Sequence, residues 1–452
     1  MTLPDGPKIS PLVQLLKWIA DPIDYLDICA QSYGDTFTLQ LRNFEPLVFL
    51  SHPQAIQEIF TADPKLFDSG RANRIVKPLV GENSLLLLDG DRHTSQRRLI
   101  MPPFHGERMH SYSQLICAIA QQVASHWKIG QPICVRDAMQ DITLQVIVQA
   151  VFGLREGARY QQIIPLLTSM LNMTDSPLSS SILFFRFLQK DFGAWSPWGQ
   201  MMRRKQQIDN LLLAEINERR EQPERIGNDV LSLMMSACDE QGQPMTDEEL
   251  KDELMTLLFA GHETTATALA WAFYWIHKLP SVQEKLWQEL QSLGDNPEPM
   301  AIARLPYLTA VCQETLRIYP VVFFAFPRVT KVPMEIMGHQ FEANTSLFPC
   351  IYLTHHREDL YPQSNQFKPE RFLERQFSPY EYFPFGGSNR RCVGFALAQL
   401  EMKLVLATIL SRYQLALADP KPVKPKRRGF TIAPEGGVRV VLIPNPLPLP
   451  PF

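Results

Sequence analysis

Apolar positions recur three and four apart through most of residues 85–318, with polar residues between them, and this spacing predicts a mainly helical stretch. Before it, YGDTFTLQLRNFEPLVFLS alternates in two runs and predicts two strands, and PQAIQEIFTA predicts a short helix. After it, VVFFAFPRVT and KVPMEIMGHQFEANTSLFPCIY break into short strand patterns. The apolar run after Cys392 predicts a helix to about Ser411, and RGFTIAPEGGVRVVLIP predicts a hairpin around Glu435-Gly436-Gly437. The tail NPLPLPPF predicts an extended or unstructured end. The β-rich parts therefore fall near 35–50, 320–352 and 428–444, and the helical parts near 85–318 and 394–411. No Gly/Ser linker and no repeat divides the chain. The reading is one α+β domain over 1–452, mainly α with small β-sheets.

The longest helical pattern is MTDEELKDELMTLLFAGHETTATALAWAFYWIHKLP. Thr246 and Glu249 form a capping box at its start, and Leu279-Pro280 ends it. Its apolar centre is interrupted by Gly261-His262-Glu263-Thr264-Thr265. A carboxylate at that depth of a bilayer is costly, so the pattern predicts a central buried helix rather than a membrane span. A mid-helix glycine costs about 1 kcal/mol relative to alanine. Its use would be space for a ligand against the backbone. Thr264 lies on the same face, and its hydroxyl can bond the preceding turn. Gly261 and Thr264 then form a polar notch with Glu263 beside it. The alternative is a packing glycine with two solvated polar neighbours.

In CQETLRIYP, Glu314 and Arg317 are three apart on one helix face, and FKPERF supplies Arg371. Spacing alone describes a surface pair. A buried carboxylate gripped by two guanidiniums would instead lock a helix to a loop.

Composition narrows the classes. A net charge of −3 argues against a nucleic-acid binder. Seven widely spaced cysteines without a CxxC pair exclude a disulfide framework or zinc site and suit a reducing cytoplasm. The first apolar run holds Lys17 and stops at Asp21-Pro22, too short for a transmembrane anchor. The basic clusters in 195–222 and 421–428 read as solvated faces. The aromatic segment 180–198 reads as core, as a mobile lid, or as a patch for peripheral membrane contact.

The remaining motif is FPFGGSNRRCVG, residues 383–394. Cys392 sits at the entry to a helix, beside Arg390 and Arg391. Unpaired N–H groups, the helix dipole and the guanidiniums all favour a thiolate. A nucleophile would want a base, and no histidine stands nearby in sequence. A lone thiolate suffices as a metal ligand when a macrocycle supplies the other ligands, which points to haem. Gly386, Gly387 and Gly394 then let the backbone pass close to a flat ring, and Phe385 packs against the loop.

FGGSNRRCVG resembles the haem-binding loop of the cytochrome P450 monooxygenases. AGHETT (260–265) resembles their oxygen-activating helix motif, and ETLR (314–317) with Arg371 resembles their Glu–Arg–Arg scaffold. The motifs stand in the family's order and cover essentially the whole chain. The resemblance implies a fold with haem b (iron protoporphyrin IX) buried between the long central helix and the cysteine-loop helix. Cys392 would be the iron ligand, with Phe385, Gly386, Gly394, Gly261 and Ala260 beside the ring. Arg390, Arg328, His93 and Arg97 would hold the propionates. Thr264 with Glu263 would deliver protons to the dioxygen being reduced. Glu314, Arg317 and Arg371 would be structural.

One oxygen atom from O2 would enter an apolar substrate such as a fatty acid or terpenoid. Electrons would come from a separate ferredoxin or flavodoxin, since no flavin, NAD or iron–sulfur motif is present. Arg391 would face that partner. The resemblance places the substrate pocket at Phe259, Val322, Phe323, Phe324, Phe326, Ile432 and Ala433. Separately from it, Arg71, Arg74 and Lys77 are candidates to hold a carboxylate at the mouth. A monomer is expected. A peroxide-dependent or isomerase-type relative and a non-catalytic haem-binding gas sensor are the alternatives. The family often has glycine where Ser388 stands, which leaves the loop geometry open.

Overall fold

The structure, a computed structural model, describes residues 3–444 except 155–156, 174–178, 180–181, 183, 186–187, 194, 223, 225–226, 228 and 295. The Pro-rich tail and part of the aromatic segment 180–198 lie outside the described residues.

Helices dominate, as the periodicity predicts. Five position the site: α1 (Gly90–Ile100), α2 (Val135–Phe152), α3 (Asp247–Lys278), α4 (Pro306–Ile318) and α5 (Phe395–Leu410). The capping box forms at the start of α3: the Thr246 hydroxyl accepts from the Glu249 N–H, and the Glu249 carboxylate accepts from the Thr246 N–H. Leu279 caps the other end. Between them most of the 32 residues are buried, because α3 is packed by α2 along its length and by α5 and α4 on other sides.

The strands are β1 (Thr36–Leu39), β2 (Leu47–Leu50), β3 (Pro132–Cys134), β4 (Arg328–Val329), β5 (Met334–Ile336), β6 (His339–Phe341), β7 (Ser346–Pro349), β8 (Leu415–Leu417), β9 (Pro425–Arg428), β10 (Thr431–Pro434) and β11 (Arg439–Leu442). They form four small sheets, the largest ordered β1-β2-β7-β4, with β2 and β7 parallel. Every residue of β2 and β7 is buried, so neither shows the alternation of a half-exposed strand. Trp18, Phe37, Phe49 and Phe348 pack over this sheet as a second apolar core beside the main helical one.

One expectation is corrected. The terminal hairpin turns at Gly429-Phe430, pairing β9 with β10, and not at Glu435-Gly436-Gly437. Those three residues form a short turn, with Gly436 and Gly437 left-handed, that carries the chain to a different sheet, where β11 pairs with β3 and β8. Glycine pairs mark turns well but say nothing about which strand follows as partner. Among the described residues, no helix is long and apolar enough to cross a membrane.

Candidate functional site

The loop 383–394 approaches α5 through tight local bonds. The Gly386 N–H donates to the Phe383 carbonyl (2.9 Å), and the Cys392 N–H donates to the Phe385 carbonyl (2.9 Å). These fold the loop back so that Cys392 enters α5 two residues before its cap, Gly394. The Gly394 N–H reaches the Cys392 sulfur. Cys392 is accessible at the surface of an opening in the fold, yet protein atoms crowd round its sulfur. Burial raises its thiol pKa, while the Gly394 N–H, Arg97 and Arg391 pull it back. The expected net lowering is therefore corrected: in the chain alone, desolvation outweighs the three favourable effects.

The loop's glycines serve different needs. Gly386 has φ 68°, a left-handed conformation. Gly387 is required by packing, since a Cβ there would lie 2.2 Å from the Phe60 ring. At Gly394 a Cβ would meet nothing within 4 Å, so of the loop's glycines only this one borders open space. Ser388 takes φ 59° without being glycine and opens the short turn Ser388–Arg390.

Arg390, Arg328 and His93 are brought together from the loop, β4 and α1. All three are buried, at 7%, 2% and 2% exposed. Burial first, then Arg390, Arg97 and Arg328, push His93 down to about 3, so the imidazole is neutral. Burial likewise pulls the Arg328 and Arg390 guanidiniums down, to about 9 and about 10. One carboxylate answers them: Asp89 accepts from Arg390 at 2.5 Å and from the N–H groups of Ser69 and Gly70. The Nε of Arg390 has no partner among the described residues. Arg97 makes no ion pair among the described residues and lies within electrostatic reach of Cys392. A cavity of about 130 Å³ opens beside Asp89, Arg328 and Arg390. Buried cations in excess of carboxylates, with an orphaned Nε–H, suit a dianionic group. Together with the open space at Gly394 and the accessible Cys392, these residues fit haem with its two propionates.

On α3, Ala260 is exposed and Thr264 half-buried within a stretch that is otherwise mostly buried. The Thr264 hydroxyl donates back to the Ala260 carbonyl at 2.6 Å, the bond to the preceding turn that the sequence led us to expect. Gly261 is a correction. A Cβ there would lie 2.9 Å from Ile147 of α2, so the space its missing side chain leaves is taken up by helix packing. Glu263 is held by α2 as well, accepting from Arg136 (2.6 Å) and Gln140 (2.7 Å), while the Thr143 hydroxyl takes the His262 carbonyl (3.0 Å). Sequence reasoning missed Ile147, Arg136, Gln140 and Thr143, since their partners lie more than a hundred residues away.

The Glu–Arg–Arg set is buried. Glu314 accepts from Arg317 (2.7 and 2.8 Å), from Arg371 (3.1 Å) and from the Lys368 N–H (2.8 Å), with Glu314 and Arg317 at 0% exposure. The surface-pair reading is excluded.

The expected substrate pocket divides. Phe259, Val322, Phe324 and Phe326 are half-buried. Phe323, Ile432 and Ala433 are core residues, at 3% exposure or less, which corrects their expected place. Phe323 packs on Trp18, and the Ile432 carbonyl accepts from Trp271 Nε1. Arg71 is engaged by Glu45 and Asn344, and Lys77 by Glu82. Arg74 alone of the three is free among the described residues. Arg391 is exposed over the Phe395 ring, 3.9 Å from its centroid.

Comparison with known proteins agrees with this arrangement. Residues 4–439 match the family model for cytochrome P450. The chain is 36% identical over 447 residues to cytochrome P450 135B1 of Mycobacterium bovis, covering 97% of this chain and 91% of that one. It is 32% identical to cytochrome P450 135A1 of Mycobacterium tuberculosis, covering 98% and 96%. Among solved structures it resembles a retinoic acid-bound cyanobacterial CYP120A1, with TM-score 0.83, 25% identity and coverage of 98% and 99%. The haem domain of cytochrome P450DA superposes with TM-score 0.85 at 23% identity, covering 98% of each chain. The chain belongs to the cytochrome P450 family, haem-dependent monooxygenases that take electrons from a redox partner.

Proposed function

We propose that Cys392 would supply the thiolate ligand of haem b, and that Arg390, Arg328, His93 and Arg97 would hold its propionates. The observation that carries this reading is the buried cationic group around the orphaned Arg390 Nε, set next to the accessible Cys392. Haem supplies dioxygen activation when bound, one oxygen atom entering the substrate and the other leaving as water.

The chain's own residues do the rest. Ala260 and the Thr264 notch leave room against α3 for a small polar molecule, and the Thr264 hydroxyl hands on protons there. Glu263 supplies them after leaving Arg136. Phe385 and Gly386 hold the loop that presents the sulfur. Phe259, Val322, Phe324 and Phe326 line an apolar, water-excluding pocket for a fatty acid, terpenoid or similar chain. The structural relative that binds retinoic acid supports an apolar ligand ending in a carboxylate, and Arg74 is the free guanidinium for it. A ferredoxin or flavodoxin docks over Arg391 and donates the electrons, its acidic surface steered by the basic face. The 452 residues act as one cytoplasmic domain and one copy. Exposed Phe192 and Trp195 provide peripheral membrane contact.

The test is spectroscopic. The reduced, carbon monoxide-bound protein should show the band of thiolate-ligated haem, and Cys392→His should lose it. A variant that keeps the band sinks the ligand assignment. Titration with fatty acids, retinoids, sesquiterpenes and steroids should shift the haem from low to high spin for one class. No shift with any of them counts against an apolar substrate.

A further inference from the structure

We propose that Glu253 is a positioning residue for haem binding, acting through the strap of residues 83–89 on the propionate-holding Arg390. The first turns of α3 grip this strap from one side. The Asp252 carboxylate accepts from the Asn83 N–H (2.9 Å) and side-chain amide (3.0 Å). The Thr256 hydroxyl bonds the Ser84 hydroxyl (2.7 Å). Glu253 Oε1 accepts from the Leu85 N–H (2.7 Å) and from Gln96 Nε2 (3.4 Å) on α1.

Arg390 grips the same strap from the other side. Its guanidinium donates to the carbonyls of Leu85 (3.2 Å) and Leu88 (2.6 Å) and to Asp89. Leu85 thus gives its N–H to Glu253 and its carbonyl to Arg390, and one peptide unit on either side links the two. Asp89 caps α1, which carries His93 and Arg97. A carboxyl on α3 thereby sets the position of three of the four groups assigned to the propionates. Supporting groups of this kind commonly govern how tightly a metal centre is held.

Glu253 is 1% exposed. Burial is the main reason it is pushed up to about 8, with Asp252 and Glu249 adding repulsion and the Leu85 N–H and Gln96 opposing. The cations nearby answer other groups: Lys251 lies 3.6 Å from Asp252, and Arg92 of α1 lies 3.7 Å from Glu249. At the strap's start Lys77 pairs with Glu82. With its folded value above the ordinary carboxylate value, the stability Glu253 contributes is present at low pH and is lost as pH rises through about 8. Ionisation places a second negative charge against Asp252 and loosens the strap.

The proposal rests on the haem-holding role given to Arg390. The experiment measures transfer of haem from the holoprotein to excess apomyoglobin between pH 6 and 9, in wild type, Glu253→Gln, Glu253→Leu and Arg390→Gln. Gln keeps an acceptor for the Leu85 N–H, and Leu does not. Glu253→Leu should release haem about ten-fold faster than wild type at pH 7, and Glu253→Gln within about two-fold. Wild-type release should accelerate toward pH 9, whereas Glu253→Gln should be flat. A carboxyl with only a structural role would lower the unfolding midpoint of Glu253→Leu yet leave the two pH profiles alike. Matching profiles, or Glu253→Leu releasing haem at the wild-type rate, overturn the proposal. If Glu253→Leu fails to fold, the Glu253→Gln profile decides alone. If Arg390→Gln also holds haem normally, the propionate assignment itself fails, a result distinct from failure at Glu253.

Discussion

Arg136 lies 2.6 Å from Glu263 and draws it toward α2, while the adjacent Thr264 hydroxyl bonds within α3. Arg136 is 2% exposed and the acid 16%, so the pair is largely desolvated. Removing one charge from such a pair costs more than the pair contributes. Glu263→Gln should therefore destabilise the protein by about 2–4 kcal/mol in denaturant unfolding, beyond any effect on turnover. An unchanged midpoint would mean that Glu263 has no structural duty and is free for proton transfer alone.

Thr264→Ala isolates the chemical role. Among the described residues the hydroxyl bonds only its own helix, and alanine is a better helix former, so stability should hold or rise by a few tenths of a kcal/mol. The carbon monoxide spectrum should stay intact. Consumed reducing equivalents should appear as peroxide, with product per electron falling about ten-fold or more, since a positioned proton donor contributes at least that much. Unchanged coupling would mean that the Thr264 hydroxyl does not deliver the protons.

How far the sequence could be read follows from the range of each interaction. The α3 boundaries were legible because Thr246, Glu249 and Pro280 act within one turn. Cys392 was legible because its flanking arginines and glycines are local. Gly261 was misread because its reason, Ile147, lies on another helix, and a packing glycine looks like a ligand-facing one in one dimension. Phe323, Ile432 and Ala433 were misplaced for the same cause, as apolar residues suit pocket and core equally. The hairpin was misplaced because two glycine-bearing turns, Gly429 and Gly436-Gly437, compete within eight residues, and strand pairing decides between them.

Burial, not charge count, should separate the ion pairs. Glu314 is fully buried and serves both Arg317 and Arg371, so Glu314→Gln should cost about 3–5 kcal/mol and sharply reduce recovery of folded holoprotein. Glu370 pairs with Lys285 on the surface, with side chains 36% and 54% exposed. Glu370→Gln should change stability by less than about 1 kcal/mol. Equal effects in urea unfolding would contradict this ranking.

His355 should contribute to acid sensitivity, alongside the other histidines with depressed values, His93, His277 and His356. The Nε2 of His355 accepts the Phe383 N–H at 3.1 Å, which requires a neutral ring, and burial with Arg317 nearby holds its pKa well below the ordinary histidine value. A depressed base binds its proton more readily unfolded, so the stability it contributes is lost as pH falls below about 6.5. Each such group adds a slope of about 1.4 kcal/mol per pH unit. The unfolding midpoint should fall between pH 6.5 and 5, and His355→Gln, which keeps an acceptor, should flatten that fall. An identical slope in the variant would assign the acid limb to other groups.

Ser388 holds φ 59° at the start of the turn that delivers Arg390 and Cys392. A left-handed conformation costs a residue with a Cβ about 1–2 kcal/mol, and glycine avoids that cost. Glycine also widens the unfolded ensemble, which returns roughly 0.5–1 kcal/mol. Ser388→Gly should therefore leave the holoprotein as stable as wild type or stabilise it by up to about 1 kcal/mol, with an unaltered carbon monoxide band. Ser388→Val, whose branched side chain tolerates that φ least, should destabilise and release haem faster. Thermal unfolding with haem absorbance as the probe reads both. If glycine weakens the loop and valine does not, the serine has a function there that its backbone conformation does not express.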